Sequence, residues 1–217
     1  MYIPNTFKED DLSVLQNLMA RFPLATVVTV GPEGMEANPV PLFHDPAPRE
    51  GAPYGVLWGH LARANRQWQD HRPEAGVLAI FHGPESYISP NWYPSKAEHG
   101  KAVPTWNYAV VEAKGTLEVI DDPARLRQIL TGLTAVHEAS QPHPWSLADA
   151  PEDFVANQLK AIVGIEIAIT RLVGKWKMSQ NRQEADRQGV VAGLAGGGES
   201  SRAVAGLVAH ALNPPPR

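Results

Sequence analysis

Residues 24–43 read LATVVTVGPEGMEANPVPLF. Leu24–Val30 and Met35–Phe43 are β-rich runs, and Gly31-Pro32-Glu33-Gly34 between them is turn chemistry, so the stretch predicts a β-hairpin. Asn38-Pro39 and Pro41 interrupt the ladder of donors and place the second run at a sheet edge or bulge. Outward from this hairpin, Tyr54–Leu61 and Gly76–His82 are apolar runs of strand length. Tyr108–Ile120 alternates, with Val111, Ala113, Leu117 and Val119 on one face and Glu112, Lys114, Thr116 and Glu118 on the other. Ile165, Ile167 and Ile169 alternate with Glu166, Ala168 and Thr170 in the same way. These readings predict six or seven strands clustered in hairpins, with no βαβ rhythm and no long repeat. The fold class expected is mainly β, a closed or split antiparallel barrel with peripheral helices.

Helices are expected around the strands. Thr6 and Glu9 have capping-box spacing before Leu12, Leu15, Leu18, Met19 and Phe22, which predicts a helix over 6–22 ended by Pro23. Arg63–His71 reads as a short polar helix capped by Asn65. Asp122-Pro123 opens one with an apolar stripe of Leu126, Ile129, Leu130, Leu133 and Val136. Glu152–Leu159, 181–195 and 200–212 complete the set. His44–Pro53 and Pro142–Pro151 read as loops, residues 83–105 as a long ordered loop without periodicity, and the tail NPPPR as unstructured. The domain reading is a barrel over 1–178 and a C-terminal helical extension over 179–217. The extension's stripe of Val204, Leu207, Val208 and Leu212 covers either the barrel or a partner subunit.

Of the 217 residues, 43% are hydrophobic and 19% charged, ordinary values for a globular chain with a core. There is no cysteine, which excludes disulfides, cysteine zinc sites, iron–sulfur clusters and a cysteine nucleophile. MYIPNTFKEDDL lacks the apolar segment of a signal peptide, and no apolar run reaches the ~20 residues of a membrane span. The expectation is a cytoplasmic protein without membrane contact. The formal net charge of −4 argues against a broad phosphate-binding surface, leaving only a local patch.

Several catalytic signatures are missing. Gly193–Gly198 (GLAGGG) has no following Lys-Ser/Thr, and no GxSxG occurs. His137-Glu138 is followed by His143 six residues on, not four, and Pro142 would break the helix between them. No metal ligand set and no catalytic residue is assigned, and whether the chain is an enzyme stays open. Three stretches carry chemistry instead. Residues 87–108, YISPNWYPSKAEHGKAVPTWNY, hold five of the chain's eleven Trp and Tyr residues. They form either a loop packed on its own rings or a site for a planar conjugated ligand. HLARANRQW, residues 60–68, sets Arg63 and Arg66 about a helix start, either a phosphate site or a solvated helix. In GKWKMSQNRQEADR, from Gly174 to Arg187, Lys175, Lys177 and Arg182 make the densest basic stretch, which is a second anionic-ligand contact, a local nucleic-acid patch or a polar turn capping a helix.

Taken together, MYIP at the start, GHLARANRQW (59–68), FHGPESYISPNWYPSK (81–96), VPTWNY (103–108) and GKWKMSQNR (174–182) closely resemble the PaiB family of FMN-binding negative transcriptional regulators. The resemblance runs from Met1 to about Leu194. It implies an FMN-binding split β-barrel related to pyridoxamine-phosphate oxidases and flavin reductases, and a homodimer with flavin at the subunit interface. It also implies repression of degradative-enzyme and sporulation genes. On this resemblance Arg63, Asn65 and Arg66 are expected at the FMN phosphate, and Trp92, Trp106 and Asn107 at the ring. Lys177, Ser179 and Gln180 are expected to close the site from another strand or the partner chain. A DNA operator would be the regulator's partner, yet no helix-turn-helix or basic recognition helix is visible, so repression is direct or indirect. Two alternatives stand beside it. One is an FMN-dependent oxidoreductase; the other is a haem-binding or haem-degrading split barrel with His82 or His99 as axial ligand.

Overall fold

A computed structural model describes residues 1–212. The tail NPPPR, expected to lack structure, lies outside the described residues. Eight strands form one sheet in the order β3-β2-β6-β7-β8-β5-β4, with β1 paired to β8. They are β1 (Lys8–Glu9), β2 (Leu24–Gly31), β3 (Gly34–Pro41), β4 (Phe43–Asp45), β5 (Val56–Ala62), β6 (Val77–Ile88), β7 (Thr105–Ile120) and β8 (Ile162–Lys177). The α-helices are α1 (Leu12–Arg21), α2 (Gln67–Asp70), α3 (Ser95–His99), α4 (Pro123–Glu138), α5 (Glu152–Lys160), α6 (Glu184–Ala195) and α7 (Glu199–Leu212). The chain divides into two compact units. The first holds Met1–Leu15, His82–Val111 and the chain from Val173 on; the second holds Gln16–Phe81 and Glu112–Leu172.

In the second unit the hairpin forms as its turn residues require, β2 pairing antiparallel with β3 from Leu24↔Pro41 to Gly31↔Gly34. β3 ends the sheet order, the place where Pro39 and Pro41 cost no ladder bonds. β5 pairs antiparallel with β8 from Val56↔Ala168 to Ala62↔Ile162, and with β4 on its other side. Alternation along β8 buries Ile165, Ile167 and Ile169. A side chain at Gly115 of β7 would collide with the carbonyl of Ala168, so glycine is what lets these two strands close up. The Asp122 carboxylate caps α4 by accepting from Arg125 N at 2.8 Å. Ile129 and Leu133 of α4 pack with Ile120, Phe43 and Trp58. Leu126 packs instead with Val155 and Leu159 of α5.

In the first unit β1 pairs with β8 (Lys8↔Lys175, Glu9↔Gly174). α6 and α7 form a helical pair burying Val190, Leu194, Val204, Ala205 and Val208. The start of α7 is tied to β6, where the Ser200 hydroxyl donates to the Glu85 carbonyl at 2.7 Å and accepts from the Glu85 amide at 2.9 Å.

Several boundaries differ from expectation. The helix expected over 6–22 is α1 alone, preceded by a 3-10 turn at Asn5–Phe7 and by β1. Its cap is Asp11, which accepts from Ser13 N at 2.8 Å; the Thr6/Glu9 spacing was coincidental. Residues 83–105 are not one loop. β6 runs on to Ile88, a 3-10 turn spans Pro90–Trp92, and α3 and the start of β7 follow. The helix expected over 63–71 shrinks to α2, though Asn65 still caps by accepting from Gln67 N at 2.9 Å. The loop expected from His44 opens inside β4. Val136, expected on the apolar stripe of α4, is 47% exposed and lines an open cleft with Leu42 and Phe43.

Candidate functional site

The first unit gathers cations and rings where β7 begins and β8 ends. Residues two apart on a strand share a face, so Lys175 and Lys177 project together from β8, as Trp106 and Tyr108 do from β7. The Lys177 ammonium donates to the Thr105 hydroxyl at 2.7 Å and to the Trp106 carbonyl at 2.5 Å. The Lys175 ammonium lies 5.2 Å from the centre of the Tyr108 ring, and the Arg182 guanidinium 4.7 Å from that of Tyr93. Burial pushes the Lys177 pKa down, and repulsion from Lys175 and Arg182 pushes it further. None of the three cations forms an ion pair with a described carboxylate. Beside them Trp106 and Tyr87, 51% and 46% exposed, meet edge to face at 6.1 Å. Uncompensated positive charge next to half-open ring faces fits a planar anion.

Other expected residues in this unit are turned inward. Asn107 is fully buried and bonds the Ser179 hydroxyl at 3.0 Å. Ser179 has φ +61°, a left-handed conformation held by that bond and by the turn after β8. Gln180 closes the turn, accepting from Met178 N at 2.7 Å and donating to the Trp176 carbonyl at 2.6 Å. Trp92 sits on α6. A side chain at Gly193 would overlap its ring, and one at Gly189 its carbonyl. The same helix supplies Asp186, 2% exposed, which accepts from Ser95 N at 3.1 Å and Ser95 Oγ at 2.7 Å. α6 thus fixes the NWYPS segment. Lys177, Trp106, Asn107, Ser179 and Gln180 come together around the ends of two neighbouring strands, whereas Trp92 is held by the helix.

The second unit holds Arg63, Asn65 and Arg66. Arg63 donates from Nε to the Lys160 carbonyl, from Nη2 to the Ile162 carbonyl at 2.9 Å, and to both oxygens of Asp121. Arg66 forms a two-bond pair with Asp70 across one helical turn. Each guanidinium holds its carboxylate partner below the ordinary range. The two arginines therefore face different acids within this unit, and Asn65 is engaged as the cap.

Three residues at or near these positions lay inside the candidate stretches without being assigned to the ligand site. Lys175 and Arg182 were visible as part of a basic stretch, and the i, i+2 spacing of Lys175 and Lys177 is the signal for a shared face. His60 opens the HLARAN segment; its Nδ1 is buried without a partner, and burial holds its pKa down. By contrast His82 and His99 are exposed, and His99 Nδ1 accepts from Lys101 N at 3.0 Å. No cluster of three or more metal-binding side chains occurs among the described residues. No described helix is long and apolar enough to cross a membrane.

Comparison with known proteins bears on this geometry. The family model described as "Putative FMN-binding domain" matches residues 1–171. The uncharacterized protein AN0679 of Emericella nidulans is 32% identical over 241 residues, 96% of each chain. The protease synthase and sporulation protein PAI 2 of Bacillus subtilis is 30% identical over 191 residues, 88% of this chain and 87% of that one. Among solved structures, the flavocytochrome Anf3 from Azotobacter vinelandii superposes with a TM-score of 0.57 at 15% identity, covering 84% of this chain and 75% of its own. That likeness is one of fold, the split barrel expected from the sequence.

Proposed function

The chain belongs to the PaiB family, built on an FMN-binding domain, and from that premise we propose that it binds FMN and acts as a flavin-binding negative regulator of transcription, directly or indirectly. The observation that carries the cofactor is the trio Lys175, Lys177 and Arg182, unpaired with any described acid and set beside the open rings of Trp106 and Tyr87. FMN brings a dianionic phosphate and a flat ring system, and both chemistries are answered there. Lys177 supplies charge, while the buried Asn107–Ser179 pair and Gln180 hold the turn that carries it. Trp106 offers a ring face, and Trp92, locked on α6, stiffens the neighbouring segment. Arg63, Asn65 and Arg66 are the second proposed phosphate contact. Arg63 takes up a phosphate only on releasing Asp121, and Arg66 only on releasing Asp70.

The regulatory half rests on the Bacillus subtilis relative, whose name ties it to protease synthesis and sporulation. We place this chain as a homodimer that acts on an operator or through a small molecule. The net charge of −4 favours the indirect route, since duplex binding draws its affinity from neutralised phosphates. That charge also keeps a second reading in view, an FMN-dependent oxidoreductase in which bound flavin supplies hydride chemistry and the protein supplies position. A haem reading requires His82, His99 or another histidine to reach the iron. FMN and haem titrations separate these readings. A flavin spectrum with NAD(P)H oxidation favours the oxidoreductase, and a Soret band favours haem. Flavin binding with a salt-sensitive gel shift favours direct repression.

A further inference from the structure

A cavity of about 480 Å³ lies wholly within the second unit, between α4 and α5. Its floor is Pro123, Leu126, Ala156 and Leu159, and the last two stand one turn apart on α5. One wall is Arg63 with Asp121. Arg63 is saturated there, bonding two carbonyls and both carboxylate oxygens, so it acts as a brace between the start of β8 and the end of β7. The mouth carries two cations in a different condition. Among the described residues Arg127 pairs with Glu152 alone, whose side chain is 77% exposed. Lys160 donates to the Asn157 side chain at 3.2 Å and pairs with no described carboxylate. The ionised groups lining the cavity are Arg63, Arg127 and Lys160 against Asp121 and Glu152, an excess of one positive charge.

We propose that this cavity binds a small amphipathic monocarboxylate, a short fatty acid or a single-ring aromatic acid, with its carboxylate between Arg127 and Lys160. Guanidinium matches a carboxylate in shape as well as charge, and an incoming acid exchanges with the solvated Glu152 at little cost. The hydrocarbon body then covers Leu126, Ala156 and Leu159, removing apolar surface from water. A neutral apolar ligand would leave the mouth's positive charge unanswered. A strongly polar one would strand its groups against an apolar floor. The volume falls in the lower half of the ~300–1,000 Å³ typical of small-molecule pockets, which suits a short body. The ligand uses neither Lys177 nor Trp106, and it shares with the flavin reading only Arg63, which serves this cavity as a brace.

The test is calorimetric titration of the full-length protein with octanoate, with acetate and octylamine as controls. Octanoate should bind while acetate and octylamine do not. Arg127→Gln combined with Lys160→Gln should weaken octanoate by about tenfold or more, and Ala156→Trp should abolish binding by filling the floor. Circular dichroism of both variants should match the parent. Lys177→Ala should leave octanoate affinity unchanged. The proposal is overturned if octanoate gives no heat, if octylamine binds equally well, or if the double variant binds unchanged. Failure of FMN to bind, with octanoate binding intact, would sink the flavin reading and leave this one standing.

Discussion

Lys177 gives up water on folding and meets two further cations, yet finds only a hydroxyl and a carbonyl for its ammonium. An anion bound there relieves that repulsion. Replacing Lys177 with Ala should weaken FMN by about tenfold or more, because a charge-assisted bond is lost; Lys177→Arg should keep part of the affinity. Flavin fluorescence quenching measures both. The lowered pKa gives a further sign. As pH rises, Lys177 loses its proton before an ordinary lysine would, so FMN affinity should begin to fall at lower pH in the parent than in Lys177→Arg. Identical alkaline limbs would remove Lys177 from the site. At this scale the sequence shows the charges but not their company. The basic run from Gly174 is plain to read, whereas Ser179 meets Asn107 across 72 positions of chain, and the Asp121 that occupies Arg63 stands 58 positions away. Neither pairing leaves a trace in local spacing.

α6 is the element whose role was least legible. Gly189 and Gly193 recur one turn apart, and local reading sees only weak helix formers; in the fold they make the bed for Trp92. Gly193→Ala should therefore destabilise the protein by about 1–3 kcal/mol through overpacking. Asp186→Ala should cost about 1–3 kcal/mol by stranding the amide and hydroxyl of Ser95. Urea midpoints read both, and a change within error in either variant would mean that α6 does not hold the aromatic segment. A second effect belongs to the neighbouring strands β4 and β5. His60 is held below the ordinary imidazole pKa by burial, and His44 by burial against its bond to the Tyr54 carbonyl. As pH falls from about 6.5, the unfolded chain takes up these protons first. Stability should then drop until the lower, folded pKa values are passed. His60→Gln should flatten that slope between neutral and mildly acid pH; an unchanged slope would assign the acid sensitivity elsewhere. The strands themselves were readable because burial writes a period of two into them, as in Ile165, Ile167 and Ile169. The start of α1 is read too early from the sequence because Thr6 and Glu9 carry capping-box spacing, whereas Asp11 makes the cap.

For the whole molecule, the split-barrel class follows from hairpins without crossover helices, and the family from long aromatic motifs; assembly and output do not follow from either. If the protein is a homodimer resting partly on its C-terminal helices, deleting residues 199–217 should shift its sedimentation toward monomer. α7 is bonded to β6 through Ser200, so circular dichroism must accompany that experiment. A truncated protein that still sediments as a dimer would place the interface elsewhere. If repression is indirect, as the charge of −4 favours, an operator-length duplex should show no retardation even at low salt, where counterion release favours binding most strongly. The central claim, a flavin site at the cation and aromatic cluster, is tested most directly by the visible absorption spectrum during titration with FMN, in the parent and in Lys177→Ala. The account predicts a shifted, resolved flavin band that co-elutes with the parent protein in gel filtration and is lost or weakened in the variant. A spectrum that remains that of free flavin, with all FMN eluting apart from the protein, would contradict it.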